Sequence, residues 1–294
     1  RVGLIAACLI AINPVQVKYG LTPLSEPLFT LLVIAGIVIV TPAIDRFSWK
    51  RAALGGALIG LACLVRSSIL ILPAFLGIWW LWRLRWRGIA MTAIFTVAMI
   101  AVIAPWTVRN YLVTGAFVPV NKMDGHVLWV SNNPVTWENR LLWGNAYEGL
   151  PPGLNPYSSP AKQIAYDEEE KHLAISFVRE NASRIPFFIT MKFARFFSLL
   201  TRIPIHLKII LYSLDVIFVP ISVVGIVILI RERRWALGPA LAVIVATLVA
   251  VAIFWGDSRF RFPIVPYYTV FASVALGALW ARLRGHTLQP ASKS

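Results

Sequence analysis

The chain has 294 residues, of which 58% are hydrophobic and 14% are charged, and its net charge is +15. Because soluble domains carry about 25% charged residues, this composition argues against an ordinary soluble domain and excludes a disordered chain. The bases lie mainly between apolar runs, so we expect them to meet anionic lipid head groups, with no nucleic-acid partner.

Eight apolar segments are predicted to cross a membrane as helices. A bilayer core about 30 Å thick needs roughly 20 helical residues, and lipid offers no partner for an unpaired backbone amide. The predicted spans are 2–13, 27–44, 53–65, 68–82, 89–104, 209–230, 236–254 and 263–281. The sequence starts at Arg1, without a methionine, and enters an apolar run at once, which we interpret as a truncated N-terminus.

Charge predicts the orientation of these spans. One set of connections holds twelve bases: Arg46, Lys50, Arg51, Arg83, Arg85, Arg87, Arg231, Arg233, Arg234, Arg282, Arg284 and Lys293. The other short connections hold only Lys18, Arg66, Arg259 and Arg261. The basic set is therefore predicted to be cytoplasmic. Residues 52–82 are read as a hairpin turning near Arg66, because a single span would put the flanking basic clusters on opposite sides.

The predicted organisation is thus five spans in residues 1–104, an extracytoplasmic insert at 105–208, and three spans with a short cytoplasmic tail at 209–294. The insert holds eight of the thirteen acids. Its first half shows short β-like runs at Ala116–Val120 and His126–Val130. Ser159 before Pro160 predicts the start of a helix over about 160–181.

Two further expectations concern this insert. The acidic run Asp167–Glu170 is interpreted as the solvated face of the helix at 160–181. Pro186–Leu200 mixes several Phe with Lys192 and Arg195, which predicts an amphipathic helix lying at the membrane interface.

No phosphate-binding loop, nucleophile elbow or clustered histidine is present in the sequence, so soluble hydrolase and metalloenzyme mechanisms receive no support. The candidate functional residues are instead charges at the outer ends of spans, where charge is costly. Glu26 is either a carboxylate favoured by a helix N-terminus or a site carboxylate facing a cavity. Arg66 either reaches out of the bilayer to the interface or holds a phosphate.

Two other groups belong to the same set of outer charges. Arg109 and Asn110 follow the fifth span directly, and Arg109 could serve as an interface anchor or as a site cation. Arg259 and Arg261 lie in a short outer loop, against the positive-inside trend. Either Asp257 pairs with one of them, or the loop binds an anionic head group.

Five segments in this order resemble the bacterial branch of the protein O-mannosyltransferase and aminoarabinose transferase superfamily, which has the GT-C fold. They are Asn13-Pro14 through Ser25-Glu26-Pro27-Leu28-Phe29, then Gly60–Arg66, Pro105–Tyr111, Gly125 to Asn132-Asn133-Pro134, and Arg259–Pro266. The resemblance covers essentially the whole chain. It implies an all-α polytopic membrane protein, a GT-C type transmembrane helix bundle with an extracytoplasmic insert.

The resemblance also implies an activity: inverting transfer of a sugar from a polyprenyl-phosphate donor to an extracytoplasmic lipid, glycan or protein. The protein would lie in the plasma or inner membrane with its active face outside. The implied donor phosphate ligands are Arg66, Arg109, Arg259, Arg261 and Lys192. Asn110, Asn132 and Asn133 are further site candidates, and Glu26 is a candidate catalytic carboxylate. The sequence identifies no cofactor, and a divalent metal is compatible with the chemistry.

In this superfamily the principal base lies in the first outer loop, upstream of the residues that match here, so we expect this chain to bind donor without turning it over. Two other interpretations stay open. A transporter or lipid flippase would favour polar residues and broken helices at mid-membrane. A non-catalytic assembly subunit would use the insert for docking.

Overall fold

The computed structural model describes residues 2–146, 159–197 and 205–284, and all regular structure in these ranges is helical. The α-helices are α1 Val2–Ala11, α2 Pro14–Gly20, α3 Glu26–Val40, α4 Trp49–Val65, α5 Leu72–Leu84, α6 Trp86–Thr114, α7 Asp124–Ser131, α8 Pro134–Glu138, α9 Pro160–Glu180, α10 Ile185–Phe196, α11 Ile205–Arg231, α12 Gly238–Ile253 and α13 Val265–Leu283. Short 3₁₀ segments follow α3 and α4 and precede α10, α12 and α13.

Among the described residues, five helical stretches are long and apolar enough to cross a membrane: Glu26–Ala43, Ser67–Leu84, Trp86–Thr114, Trp235–Ile253 and Ser258–Leu283. The pair α1 and α2, bent by 59°, makes a sixth if it is one span. The chain is therefore a helical multi-pass membrane protein. The predicted spans at 53–65 and 209–230 correspond to α4, with 17 residues, and to α11, whose described apolar part is Ile217–Arg231. Helix α4 is one turn short of a full span and α11 runs over Ile205–Arg231, and neither is among the five stretches, so eight crossings remain a prediction.

Glycines bring α4 against α6. A Cβ on Gly56 would lie 2.1 Å from Phe95 O, and one on Gly60 would lie 2.8 Å from Met99 O. The two backbones are therefore in direct contact, as small residues permit in membrane bundles. Residue numbers increase along α4 and α6 together from the first contact to the second, so these helices are parallel.

Helix α5 runs the other way along α6. A Cβ on Gly88 would lie 2.4 Å from the Trp80 carbonyl, and one on Gly77 would lie 2.9 Å from Thr92 Cγ2. Residue numbers rise along α6 as they fall along α5, so α5 and α6 are antiparallel. Because α4 is parallel to α6, the chain reverses direction between α4 and α5. This is the reversal that the hairpin interpretation of residues 52–82 requires.

The connections sort to two ends of the bundle. At one end Arg83 Nε donates to Asp45 Oδ1 at 2.7 Å, and the Trp82 and Trp235 rings pack edge to face at 4.7 Å. These contacts bring together three connections of the basic set. The weakly basic connections meet at the opposite end, where Arg66 and Arg259 both reach Glu26. Which side of the membrane each end faces stays a prediction from charge.

The insert differs from the prediction in its first half. His126–Val130 is not a strand but the body of α7, and no strand occurs anywhere in the described ranges. Gly125 allows α7 to lie directly on α9, because a Cβ there would be 1.8 Å from Asp167 O. Packing on α9 thus overrides the local β propensity of these apolar residues. Helix α6 also continues through Pro105 to Thr114, beyond the predicted end at 104.

The second half confirms one helix and corrects two surfaces. Helix α9 begins after Ser159, whose Oγ accepts from Lys162 N at 3.2 Å. The acidic run on α9 is not wholly solvated, because Asp167 and Glu170 are 2% and 0% exposed. Glu170 carboxylate oxygens lie 2.9 and 3.1 Å from His126 Nδ1, so this acid faces α7.

Helix α10 covers the predicted amphipathic segment up to Phe196, and residues 198–200 lie outside the described ranges. Its cations do not form a polar outer face. Lys192 and Arg195 are both buried, and Arg195 donates to Trp143 O at 2.8 Å and to Leu141 O at 3.0 Å. The predicted helix is present, its two cations face the protein interior, and its position at the membrane interface stays a prediction.

Candidate functional site

The site is built around Glu26, the first residue of α3. Its side chain is 1% exposed, and its Oε1 accepts from Arg66 Nη1 at 2.6 Å. The same oxygen also contacts Arg259 Nε. One buried carboxylate therefore holds two guanidinium groups that lie far apart in the sequence. We call Glu26, Arg66 and Arg259 the arginine triad.

The break after α4 places Arg66. This residue has an extended backbone, with φ −151° and ψ 121°, between the end of α4 and a 3₁₀ turn at Ser67–Ile69. The break lets the side chain point across to the start of α3, where its Nη1 also lies 3.4 Å from Ser25 Oγ. The guanidinium sits 5.5 Å from the centre of the Phe260 ring, a cation–π distance.

A capped 3₁₀ turn places Arg259. Asp257 precedes this turn, Ser258–Ile264, and its Oδ1 accepts from Arg259 N at 2.7 Å. The carboxylate of Asp257 thus binds the backbone of Arg259, while the Arg259 side chain goes to Glu26. This resolves the first alternative for the outer loop, since Asp257 caps the turn rather than pairing with a guanidinium.

A cavity of about 200 Å³ opens beside the triad. Its charged lining residues are Glu26 and Arg66 from the triad and Asp124 from the start of α7. Arg259 touches the cavity only through Glu26. The rest of the wall is largely apolar and aromatic, and includes Phe29, Val127, Val251, Phe254, Trp255 and Phe260. The cavity therefore joins a charged end to a surface suited to a hydrocarbon or a sugar ring.

Asp124 is the residue of this cavity that sequence analysis did not single out. Within the described ranges its carboxylate makes no hydrogen bond or ion pair. Burial and then the nearby charge of Asp167 raise the pKa of Asp124, while Lys122 and Lys171 oppose the shift. Lys122 is itself held by the carboxylates of α9, at 3.4 Å from Asp167 Oδ2 and in contact with Glu168. These contacts with the two acids raise the pKa of Lys122 against the effect of its burial.

Arg109 and Asn110 lie away from this cavity. Arg109 is exposed on α6, with its guanidinium 5.0 Å from the Trp106 ring. The Asn110 side chain donates to Val118 O and Val120 O, both at 3.1 Å. Asn110 thus holds the segment that follows α6 against the end of that helix. Arg109 does not contact the triad.

Arg261 and Lys192 are also placed apart from the cavity wall. Arg261 is fully buried, two residues beyond Arg259. Lys192 Nζ donates to Asn132 Oδ1 at 3.0 Å, Ala252 O at 3.2 Å and Ile253 O at 2.9 Å. Three acceptors match the three donors of an ammonium group. Lys192 therefore closes the C-terminal end of α12, where a cation is favourable.

The paired asparagines have main-chain partners as well. Asn132 donates to Leu128 O at 2.8 Å and accepts from Lys192. Asn133 caps α8, with its Oδ1 accepting from Thr136 N at 2.9 Å. Both side chains are buried. The sequence analysis predicted site residues at these positions, and the geometry shows contacts that hold α7, α8, α10 and α12 together.

In the parts of the chain that the structure describes, no group of three His, Cys, Asp or Glu side chains could hold a metal ion. The site therefore consists of the arginine triad, the cavity and Asp124. No protein-family model matches this chain, and comparisons with curated proteins and with solved structures also find no match.

Proposed function

We propose that this protein is a membrane glycosyltransferase that moves a sugar, with inversion, from a polyprenyl-phosphate donor to an extracytoplasmic acceptor. The observation that supports this most is the arginine triad at the edge of an apolar cavity. With formal charges, the triad carries +1 from one carboxylate and two guanidinium groups, beside a surface of aromatic and aliphatic side chains, and the Asp124 carboxylate on the cavity wall balances this charge.

The triad suits a phosphate that gains charge as it leaves. When the bond from the sugar to the phosphate breaks, the phosphate oxygen takes the electron pair. Guanidinium groups fixed in advance stabilise such charge well, because they need not reorganise during the reaction. Glu26 fixes Arg66 and Arg259 in this way. The apolar wall would take the first part of the isoprenoid chain or one face of the sugar.

The proposed location is the plasma or inner membrane, with the site on the extracytoplasmic face. The triad lies at the end of the bundle opposite the contacts of Arg83 and Trp235, that is, opposite the strongly basic connections. The positive-inside rule puts those connections in the cytoplasm. The sequence resemblance to the GT-C superfamily adds to this proposal, and the bundle with its helical insert is compatible with that fold.

The position of the broken helix argues against the transporter or flippase alternative. Transporters bind their substrates at broken helices near the bilayer midplane. Here the break between α1 and α2 lies at the end that carries the triad, since Gln16 Nε2 of α2 donates to Phe262 O at 2.7 Å. An enzyme acting at the interface fits this arrangement better.

Binding of undecaprenyl phosphate in detergent tests the proposal without knowledge of the sugar. We expect binding to the phosphate and not to undecaprenol. Arg66→Gln should weaken it by about 10- to 100-fold, the value of one charge-assisted hydrogen bond or somewhat more. Arg109→Gln is the matched control at the same end of the bundle and should change affinity less than threefold.

Two results would contradict the proposal. One is equal affinity for undecaprenol and undecaprenyl phosphate, and the other is an equal loss in Arg66→Gln and Arg109→Gln. Thermal unfolding of each variant, and an Arg66→Lys variant that keeps the charge, separate loss of binding from loss of fold. Movement of labelled undecaprenyl phosphate across proteoliposomes at a rate dependent on Arg66 would instead favour a flippase.

A further inference from the structure

The cavity holds two carboxylates in different surroundings. Glu26 is buried, and its Oε1 already contacts two guanidinium groups. Asp124 is exposed to the cavity, and no hydrogen bond or ion pair from the described residues occupies its oxygens. Two acids in unlike environments within one site are the usual basis for dividing roles between them.

We propose that Asp124 is the general base, the group that takes the proton of the acceptor hydroxyl during sugar transfer. This inference rests on the proposed function. Oε1 of Glu26 is engaged with Arg66 and Arg259, while its Oε2 is buried and has no hydrogen-bond partner among the described residues. Two guanidinium groups on one carboxylate stabilise its ionised form and make it the weaker proton acceptor, so Glu26 serves to position Arg66 and Arg259. The role of catalytic carboxylate therefore moves from Glu26 to Asp124. It also replaces the expectation that the chain binds donor without turning it over.

The step balances as an inverting displacement. The acceptor O–H bond breaks and its proton goes to a carboxylate oxygen of Asp124. The acceptor oxygen forms a bond to the anomeric carbon, on the face opposite the phosphate. The bond from that carbon to the phosphate oxygen breaks, and the electron pair stays on the phosphate beside Arg66. The cavity wall presents the Asp124 carboxylate and the Arg66 guanidinium to the same space, while Arg259 contacts Glu26 from outside the wall.

The charges around Asp124 define its titration. On α9, Asp167 and Lys171 face it, and Lys122 precedes it in the chain. His126 and Glu170 pair with each other in the interface between α7 and α9. Across the cavity stand Glu26 and Arg66.

Although Asp124 is exposed, the protein atoms around it desolvate its carboxylate in part, and this and the charge of Asp167 raise the pKa of Asp124 above its ordinary value of 3.8. A raised pKa moves a carboxylate base toward the working pH. The rate should therefore rise with pH as Asp124 loses its proton, with a midpoint above that of an ordinary aspartate.

The test uses the whole chain with synthetic undecaprenyl-phosphate mannose, glucose and arabinose, and water as the minimal acceptor. Release of free sugar measures turnover, and undecaprenyl phosphate measures binding. We expect Asp124→Asn to lower turnover by about 10²–10⁴-fold, the usual contribution of a general base, and to abolish the acid limb of the pH profile. Binding should stay within threefold, which also shows that the variant is folded. Asp124→Glu should keep part of the rate.

Glu169→Gln is the matched control, because Glu169 is an exposed acid on α9 that does not line the cavity. It should leave both turnover and the pH profile unchanged. If Asp124→Asn turns over at the wild-type rate, Asp124 is not the base and the glycosyltransferase proposal stands. If the wild-type chain binds undecaprenyl phosphate but releases no sugar, this inference fails, and the expectation that the chain binds donor without turning it over stands in its place. If no phosphate binding occurs at all, the proposed function fails and this inference fails with it.

Discussion

Replacement of Glu26 by Gln should destabilise the protein, because two guanidinium groups lose the carboxylate that holds them. Gln keeps the shape and one carbonyl oxygen, so the change removes charge and little volume. Removing one partner of a buried ion pair costs about 3–5 kcal/mol. Here Arg66 and Arg259 are 21% and 39% exposed, so water can partly solvate them once the carboxylate is gone. We therefore expect a loss of about 2–3 kcal/mol, at or just below the lower end of that range.

A double-mutant cycle measures the part of this loss that belongs to the pair. The free energies of unfolding of the wild type, Glu26→Gln, Arg66→Met and the double variant can be read from circular dichroism during titration with SDS in mixed micelles. We expect the double variant to be more stable than the sum of the single changes predicts, by about 1–3 kcal/mol, as for residues in contact. The control is Arg109→Met, which should add independently to Glu26→Gln.

The reasoning is refuted if Glu26→Gln unfolds at the wild-type SDS fraction, or if the two single changes simply add. A different failure would be informative about catalysis. Were Glu26 the base, Glu26→Gln would lose sugar release by about 10²–10⁴-fold at unchanged stability. The expected pattern is instead reduced stability, with a smaller loss of sugar release than Asp124→Asn causes.

Three other outcomes follow from the fold. Burial lowers the pKa of Lys192 to about 7 from 10.5. The unfolded chain therefore binds the extra proton between these values, so stability should rise with pH across that window, by up to about 1.4 kcal/mol per pH unit. Lys192→Met should remove this slope, and parallel slopes for the two proteins would contradict the assignment. Gly56→Ala should lower the unfolding temperature in detergent, because its Cβ would meet Phe95 O at 2.1 Å, whereas Gly20→Ala, with nothing within 4 Å, should not. In intact cells, an impermeant thiol reagent should label Leu141→Cys and should not label Ser48→Cys. Labelling at position 48 would contradict the predicted orientation.

Sequence periodicity and local signals predicted the helices well, because apolar length and capping residues act locally. Ser159 and Pro160 marked the start of α9, and the distribution of basic residues predicted the turn near Arg66, where the structure breaks between α4 and α5. The apolar run around His126 was wrongly predicted to be β-like, since its helix, α7, depends on contact between Gly125 and α9. That contact is not encoded within the run itself.

The site was predictable in part, for a related reason. Charges at helix ends pointed to Glu26, Arg66 and Arg259, because charge near lipid needs a partner. Sequence could not separate these from Asn110 and Lys192, whose polar groups bind main-chain carbonyls. The sequence does not show which main-chain carbonyls lack a hydrogen-bond donor. It also does not show that Asp124, distant in the chain from Glu26 and Arg66, lines the same cavity.

The contacts of Lys192 bear on how such proteins can be re-engineered. Lys192 joins α10 to Asn132 and to the last carbonyls of α12, and Gly256 N donates to Gly144 O at 2.9 Å. The insert at 105–208 therefore cannot be replaced by cutting the chain only at its two ends. A chimera that imports a foreign insert must import residues equivalent to Lys192 and Asn132 together with it. Otherwise the end of α12, which forms part of the cavity wall, loses the donors that hold it in place.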